Sequence, residues 1–198
     1  MLHLFDDRQM DVTRIKLKEV KIKMARSRKF LGQIFLKDKN KLQKIVEALE
    51  LETSDLVIEI GAGHGELTSK IKIQKSKIKI IAIEKDYQLV KCLQKRFSED
   101  KNIEIIEGDA LRILPELAKK LKSKSYKIAG NIPYYITGHI LRIISELENK
   151  PSLIVLTLQK EVAERICAQP PQMNFLAASV QFWAEPEIVG YISKKDFR

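Results

Sequence analysis

The chain has 198 residues, a length for one domain or a domain with a tail. Its 36 basic and 26 acidic residues give a formal charge of +10, which favours a polyanionic partner, and 44% hydrophobic content argues against wholesale disorder. Two cysteines without ligand spacing, three isolated histidines and no long apolar run predict no disulfide framework, no metal site and no membrane span. The acids Asp6, Asp7 and Asp11 leave no secretory core near the start, so a cytoplasmic setting is expected.

Residues 14–29 carry eight basic residues and one acid, Glu19, and read either as a solvated basic face or as a nucleic-acid-binding arm. The expected division is a basic N-terminal extension over 1–23 and a catalytic domain over 24–198. Apolar residues at 42, 45, 46 and 49 then predict a helix over 39–50. Strands are predicted at 55–60, 79–84, 102–108, 126–131 and 152–159, each a short apolar run. Helical patterns separate them at 66–73, 86–97, 111–121 and 136–148, and another follows at 160–168. FLAASVQFWA (175–184) and EIVGYIS (187–193) read as two final strands about Pro186. The pattern predicts an α/β, Rossmann-like fold: a mostly parallel sheet covered by helices, closed by a C-terminal antiparallel hairpin.

EIGAGHGELT (59–68) lies at the first strand-to-helix junction, with Gly61, Gly63 and Gly65 spaced by two. It is neither the dinucleotide fingerprint, whose third glycine would fall at Glu66, nor a phosphate loop, which needs a lysine. Such a loop lets backbone pass close to a ligand, and ligands of open α/β sheets bind at this edge. Glu84 ends the next strand, where a carboxylate can accept both hydroxyls of a ribose. Asp109 follows the strand after that, where it or an adjacent amide could read an adenine edge.

NIPYY (131–135) ends the fourth strand of this series on the same edge. An exocyclic amine of adenine is a poor nucleophile because its lone pair is delocalised into the ring. The Asn131 side-chain oxygen and the Ile132 carbonyl, aimed by Pro133, can accept its two N–H groups and turn the lone pair toward a methyl donor. Tyr134 can stack on a base flipped out of its helix or loop.

Taken with KFLGQIFL (29–36), IEKD (83–86), EGDAL (107–111) and LQKEVAERI (158–166), these motifs make the sequence resemble the ribosomal RNA adenine-N6,N6-dimethyltransferases of the small subunit, from about Met24 to Phe197. The resemblance implies a class I S-adenosylmethionine-dependent methyltransferase acting on ribosomal RNA or the small ribosomal subunit, as a monomer. Its donor pattern matches Gln33, Gly61, Gly63, Glu84, Asp109 and Asn131; Glu59, Lys85 and Ala110, which flank these within the same motifs, are counted with them. Its target-base pattern matches Asn131, Ile132, Pro133 and Tyr134, with Phe197 on the other face of the base. Ile34 stands where the family usually has Asn or His, so one polar contact to the donor is expected to be missing. The family continues past that Phe with a proline-rich linker and a helical domain, which is expected to be absent from a chain ending at Arg198.

Three further readings fit the same residues. The erythromycin-resistance methylases of the large-subunit RNA share the Asn-Ile-Pro-Tyr turn, and a protein glutamine amide would also suit it. A non-enzymatic role, in ribosome assembly or mitochondrial transcription, would keep the fold without turnover.

Overall fold

A computed structural model describes residues 21–27, 36, 38–75, 77–121, 125–132 and 134–192. Gln33, Ile34, Pro133, Phe197 and residues 14–20 and 28–29 of the basic stretch lie outside the described residues, as do the side chain of Tyr134 and two lysines, Lys122 and Lys124, of a second basic stretch (with Lys119, Lys120 and Lys127) whose sequence reads as a solvated face or as RNA phosphate contacts. The elements are β1 (Lys21–Ser27), α1 (Lys39–Ala48), β2 (Leu56–Ile60), α2 (Glu66–Gln74), β3 (Lys79–Glu84), α3 (Tyr87–Arg96), β4 (Ile103–Glu107) and α4 (Ala110–Leu121). They continue as β5 (Lys127–Asn131), a single 3-10 turn (Tyr134–Ile136), α5 (Thr137–Glu146), β6 (Leu153–Gln159), α6 (Lys160–Ile166), α7 (Phe175–Gln181) and β7 (Glu185–Tyr191).

The seven strands form one sheet in the order β4-β3-β2-β5-β6-β1-β7, every pair parallel. Parallel strands covered on both faces read as continuous apolar runs, as LVIEI, KIIAIE and LIVLTLQ do. Successive side chains alternate between two cores. Val57, Ile80, Ala129 and Val155 meet α1 and α2 through Leu42, Ile45, Val46, Leu67 and Ile71. Ile58, Ile128, Ile154 and Leu156 meet the helices α4 to α7 on the opposite face. Leu93 of α3 packs on Ala82, on the α1–α2 side. Chain order runs outward from β2 to β4 and then returns to place β5 on the other side of β2. The β2–β5 seam is therefore the switch point, where open parallel sheets carry their ligands.

The expected parallel α/β architecture holds, and two expectations are corrected. Residues 175–184 are not a strand, and there is no antiparallel hairpin among the described residues: Phe175–Gln181 is helix α7, and β7 lies parallel to β1. The buried positions Ala177, Val180, Trp183 and Ala184 follow helical spacing, and the Asn174 side chain caps the helix by accepting from the Ala177 N–H at 3.1 Å. Residues 21–27 are a strand between β6 and β7 rather than part of an arm, with Met24 fully buried. This strand crosses the boundary expected between residues 23 and 24. A parallel interior strand fixes its backbone to two neighbours, so β6 and β7 hold KIKMARS extended despite its charge. No helix of the described residues is long and apolar enough to cross a membrane.

Candidate active site

Side-chain alternation places Glu59, Glu84 and Asn131 on the same face of the sheet as Val57, Ala82 and Ala129, the face covered by α1, α2 and α3. The loop after β2 folds over this edge through three left-handed glycines, Gly61, Gly63 and Gly65, with φ of 71°, 59° and 84°. Any other residue would be strained there. The Gly61 N–H donates to the Ile83 carbonyl at 2.8 Å, and the Gly65 N–H to the Ala62 carbonyl at 2.9 Å. The loop is thus stitched to β3 and tightened into α2. A β-carbon added at Gly61 would meet the Asn131 carbonyl oxygen at 3.8 Å, ordinary van der Waals contact, so the left-handed φ rather than crowding calls for glycine, and the loop and Asn131 lie side by side at the mouth of the β2–β5 seam.

Glu84 is buried, and its carboxylate pins the loop. Oε2 accepts from the Gly63 N–H at 2.8 Å, and Oε1 from the Lys85 and Asp86 N–H groups at 2.8 and 2.9 Å. A carboxylate offers about four acceptor positions, so one remains for a ligand hydroxyl. A second hydroxyl requires the Gly63 N–H to let go. Asp109 caps α4, its Oδ1 accepting from the Leu111 N–H at 3.0 Å. That backbone bond, joined by the Lys85 ammonium 3.1 Å from Oδ2, holds its carboxyl below the usual range. Lys85 is otherwise exposed, and Ala110 is the first, buried residue of α4.

Glu59 stands apart from this group. It is 2% exposed, beneath the loop rather than at its surface, and Oε2 accepts from the Thr68 hydroxyl of α2 at 2.6 Å. Burial pushes its carboxyl up to about 8, opposed by the Thr68 bond and assisted by the neighbouring Glu66 and Glu84 charges. Thr68 escaped sequence reasoning; the signal was a hydroxyl at a buried helical position facing an acid that ends a strand.

On the other side of the seam, Asn131 ends β5 level with Thr157 of β6, and the Ile132 N–H donates to the Thr157 carbonyl at 3.2 Å. This bond is the last rung of the β5–β6 ladder, and the chain leaves the sheet beyond it. Ile132 is buried, and Tyr135 is 69% exposed on the turn that follows. The Thr157 hydroxyl, buried beside Asn131, has no hydrogen-bond partner among the described residues, and no motif in the sequence pointed to it. The structure therefore brings together Gly61, Gly63, Glu84, Lys85, Asp109, Ala110, Asn131 and Ile132 along one sheet edge. Among the described residues, no three His, Cys, Asp or Glu side chains gather into a metal-binding group.

A glycine loop after the first strand of the β2–β5 series, an acid at the end of β3, another after β4 and a polar turn after β5 define the class I S-adenosylmethionine-dependent methyltransferase fold. Solved structures agree. A dimethyladenosine transferase from Plasmodium falciparum superposes with a TM-score of 0.63 at 30% identity, over 74% of this chain and 52% of that one. A 23S rRNA methyltransferase, ErmE, does so with a TM-score of 0.56 at 28% identity, over 66% of this chain and 50% of that one. The chain belongs to the ribosomal RNA adenine dimethylase family, whose model matches residues 24–198. A ribosomal RNA small subunit methyltransferase A from Dehalococcoides mccartyi is 41% identical over 168 residues, 84% of this chain and 56% of that protein. The chain thus spans about half the length of the curated relatives it matches.

Proposed function

We propose that this chain carries the catalytic part of an enzyme that dimethylates adenine N6 in small-subunit ribosomal RNA. The observation that carries the reading is the seam. The donor-side loop at Gly61 and the acceptor-side Asn131 face each other across β2 and β5, with one β-carbon's width between them. The residues fit a nucleoside-bearing donor: an open glycine backbone, the spare acceptor position on Glu84, and Asp109 beyond it.

S-adenosylmethionine, when bound, supplies an electrophilic methyl carbon. Glu84 takes a ribose hydroxyl, Asp109 and the Ala110 N–H read the adenine edge of the donor, and Gly61 and Gly63 give it room; Gln33 adds a further contact. Asn131 and the Ile132 carbonyl accept the two N6–H groups of the target adenine, so its lone pair turns out of the ring plane. Tyr134 stacks on that flipped base and Phe197 covers its other face. No strong base is required, because the nitrogen turns acidic once alkylated and can release its proton to water. The protein acts as a cytoplasmic monomer on the ribosomal particle.

The test is transfer of labelled methyl from S-adenosylmethionine to unmethylated small ribosomal subunits, followed by nucleoside mass spectrometry. Dimethyladenosine in the small-subunit RNA supports the reading; no product from any ribosomal RNA, under conditions where the donor binds, overturns it. The likeness to ErmE, a 23S rRNA methyltransferase, favours a second reading with large-subunit RNA as substrate. Product confined to the large subunit would select it. Asn131→Ala separates chemistry from assembly: if methylation falls at least a hundredfold while particle binding persists, Asn131 acts in transfer and the scaffold role is separate.

A further inference from the structure

Helices α2 and α3 leave an open groove of about 900 Å³ between them, closed at one end by the loop that leads into β4. Its rim carries Lys72, Lys95, Arg96 and Lys101, with Ser98 and Asn102 beside them. Phe97 lies along it, and Ile73, 79% exposed, borders it. None of these residues belongs to the donor or base machinery described above.

The charge here is denser than a solvated face requires. Residues 70–101 hold ten basic side chains and four acids. Three of those acids are already engaged, although Asp100, like Glu99, lines the groove itself. Glu84 is buried under the glycine loop, Asp86 caps α3 by accepting from the Gln88 and Leu89 N–H groups, and Asp100 is paired with Lys72 at 2.9 Å. Glu99 alone remains on the surface. Lys70, Lys75, Lys77, Lys95 and Lys101 form no ion pair with any described residue. Aromatic rings interleave with the cations on α3: Lys91 Nζ lies 4.4 Å from the centroid of Tyr87, which is 55% exposed, and the Arg96 guanidinium 5.5 Å from that of Phe97. Cations for phosphates beside aromatic faces are what a single-stranded nucleic acid tracks.

The groove is also tied to the candidate site. The Arg96 side chain on its rim donates to the His64 carbonyl inside the glycine loop, and the groove's other end lies at the loop into β4, where the strands begin.

We propose that the groove between α2 and α3 holds the sugar-phosphate backbone of the RNA strand flanking the target adenine. Here Lys95 and Lys101 in the groove, with Lys91 one helical turn before Lys95 on α3, neutralise phosphates, and Ser98 and Asn102 donate to their oxygens. The proposal rests on the ribosomal RNA reading above.

The test uses the whole chain and an unmodified small-subunit ribosomal RNA transcript, with binding followed by fluorescence anisotropy from low to high salt. The triple variant Lys91→Gln, Lys95→Gln, Lys101→Gln is compared with Lys119→Gln, Lys120→Gln, Arg165→Gln on the opposite face. Calorimetric donor affinity and thermal stability of both check that the fold is intact. Each phosphate contact contributes about 0.7 to 0.9 to the slope of log affinity against log salt, so the groove variant should lose about 2 from that slope. Its RNA affinity should fall about tenfold or more at physiological salt, with donor affinity unchanged and the opposite-face variant close to wild type. An unchanged slope in the groove variant, an equal loss in the opposite-face variant, or no RNA binding by wild type overturns the proposal. Groove-dependent RNA binding without methyl transfer would instead leave the groove standing and sink the enzymatic reading.

Discussion

Replacing Glu59 by Gln should make the protein more stable at neutral pH, and the gain should vanish in acid. The Glu59 carboxyl is wholly buried and its pKa is raised from 4.5 to about 8. Below about pH 4.5 the group is protonated in both folded and unfolded chains and adds no pH dependence. Between there and about pH 8 the unfolded chain gives up the proton that the folded chain keeps, so stability falls as pH rises, by up to about 1.4 kcal/mol per pH unit. Above that window both forms are ionised and the loss levels off. At pH 7 the accumulated cost is about 3 kcal/mol. Gln cannot ionise and its carbonyl oxygen can still accept from the Thr68 hydroxyl, which the carboxyl accepts at 2.6 Å. Urea denaturation of both proteins at pH 5, 6, 7 and 8 measures the difference. The two should be nearly equal at pH 5 and separate steadily toward pH 8, with the variant ahead. Parallel stability curves would show that Glu59 is ionised in the folded protein and that burial does not control it.

Glu84→Ala should weaken donor binding about tenfold or more by calorimetry, since it removes both a ligand acceptor and the bond that holds the Gly63 N–H; equal affinities would remove the ribose role. Gly65→Ala should destabilise by about 2 kcal/mol in thermal unfolding, because φ is +84° and the new β-carbon would meet Leu93 and Phe97 atoms at 2.8 Å. Lys127→Met should cost about 3 kcal/mol in urea titration, because it leaves the Asp55 carboxylate, now 2.7 Å from the ammonium, without its buried counter-charge.

The strands of the central sheet were readable because parallel strands covered on both faces are apolar almost throughout, as at Val57, Ile58 and Ile60 or from Leu153 to Leu156. The site's place was readable for the same reason: once strand ends are known, Gly61, Glu84, Asp109 and Asn131 fall on one edge. The misreading at α7 has a local cause. Phe175 and Phe182 lend the segment a strand-like aromatic content, yet they are 89% and 68% exposed, and the small residues between them form the helix. Strand β1 was unreadable because its apolar positions are diluted by lysines and its partners, β6 and β7, lie far along the chain. The same distance hid the bond from Glu84 to Gly63 and the clasp of Glu59 and Thr68. Sequence supplied the acid and the glycine, but only the folded crossover shows that the carboxylate is already engaged before any ligand arrives.

The position of β1 has a kinetic consequence. Lys21 pairs with Leu153 on one side and Glu185 on the other, so the first described strand separates the two last ones. Among the described residues β1 is the one strand paired with β7, which joins the sheet through β1 once β1 lies against β6. That step closes a loop of most of the chain before any contact rewards it, and non-local parallel pairing is slow. During synthesis Lys21 must wait for Leu153 and then Glu185 to emerge before β1 has either neighbour. A half made of β2 to β6 with its helices can condense ahead of it, leaving the β1–β7 margin as the last region to close and the first to open.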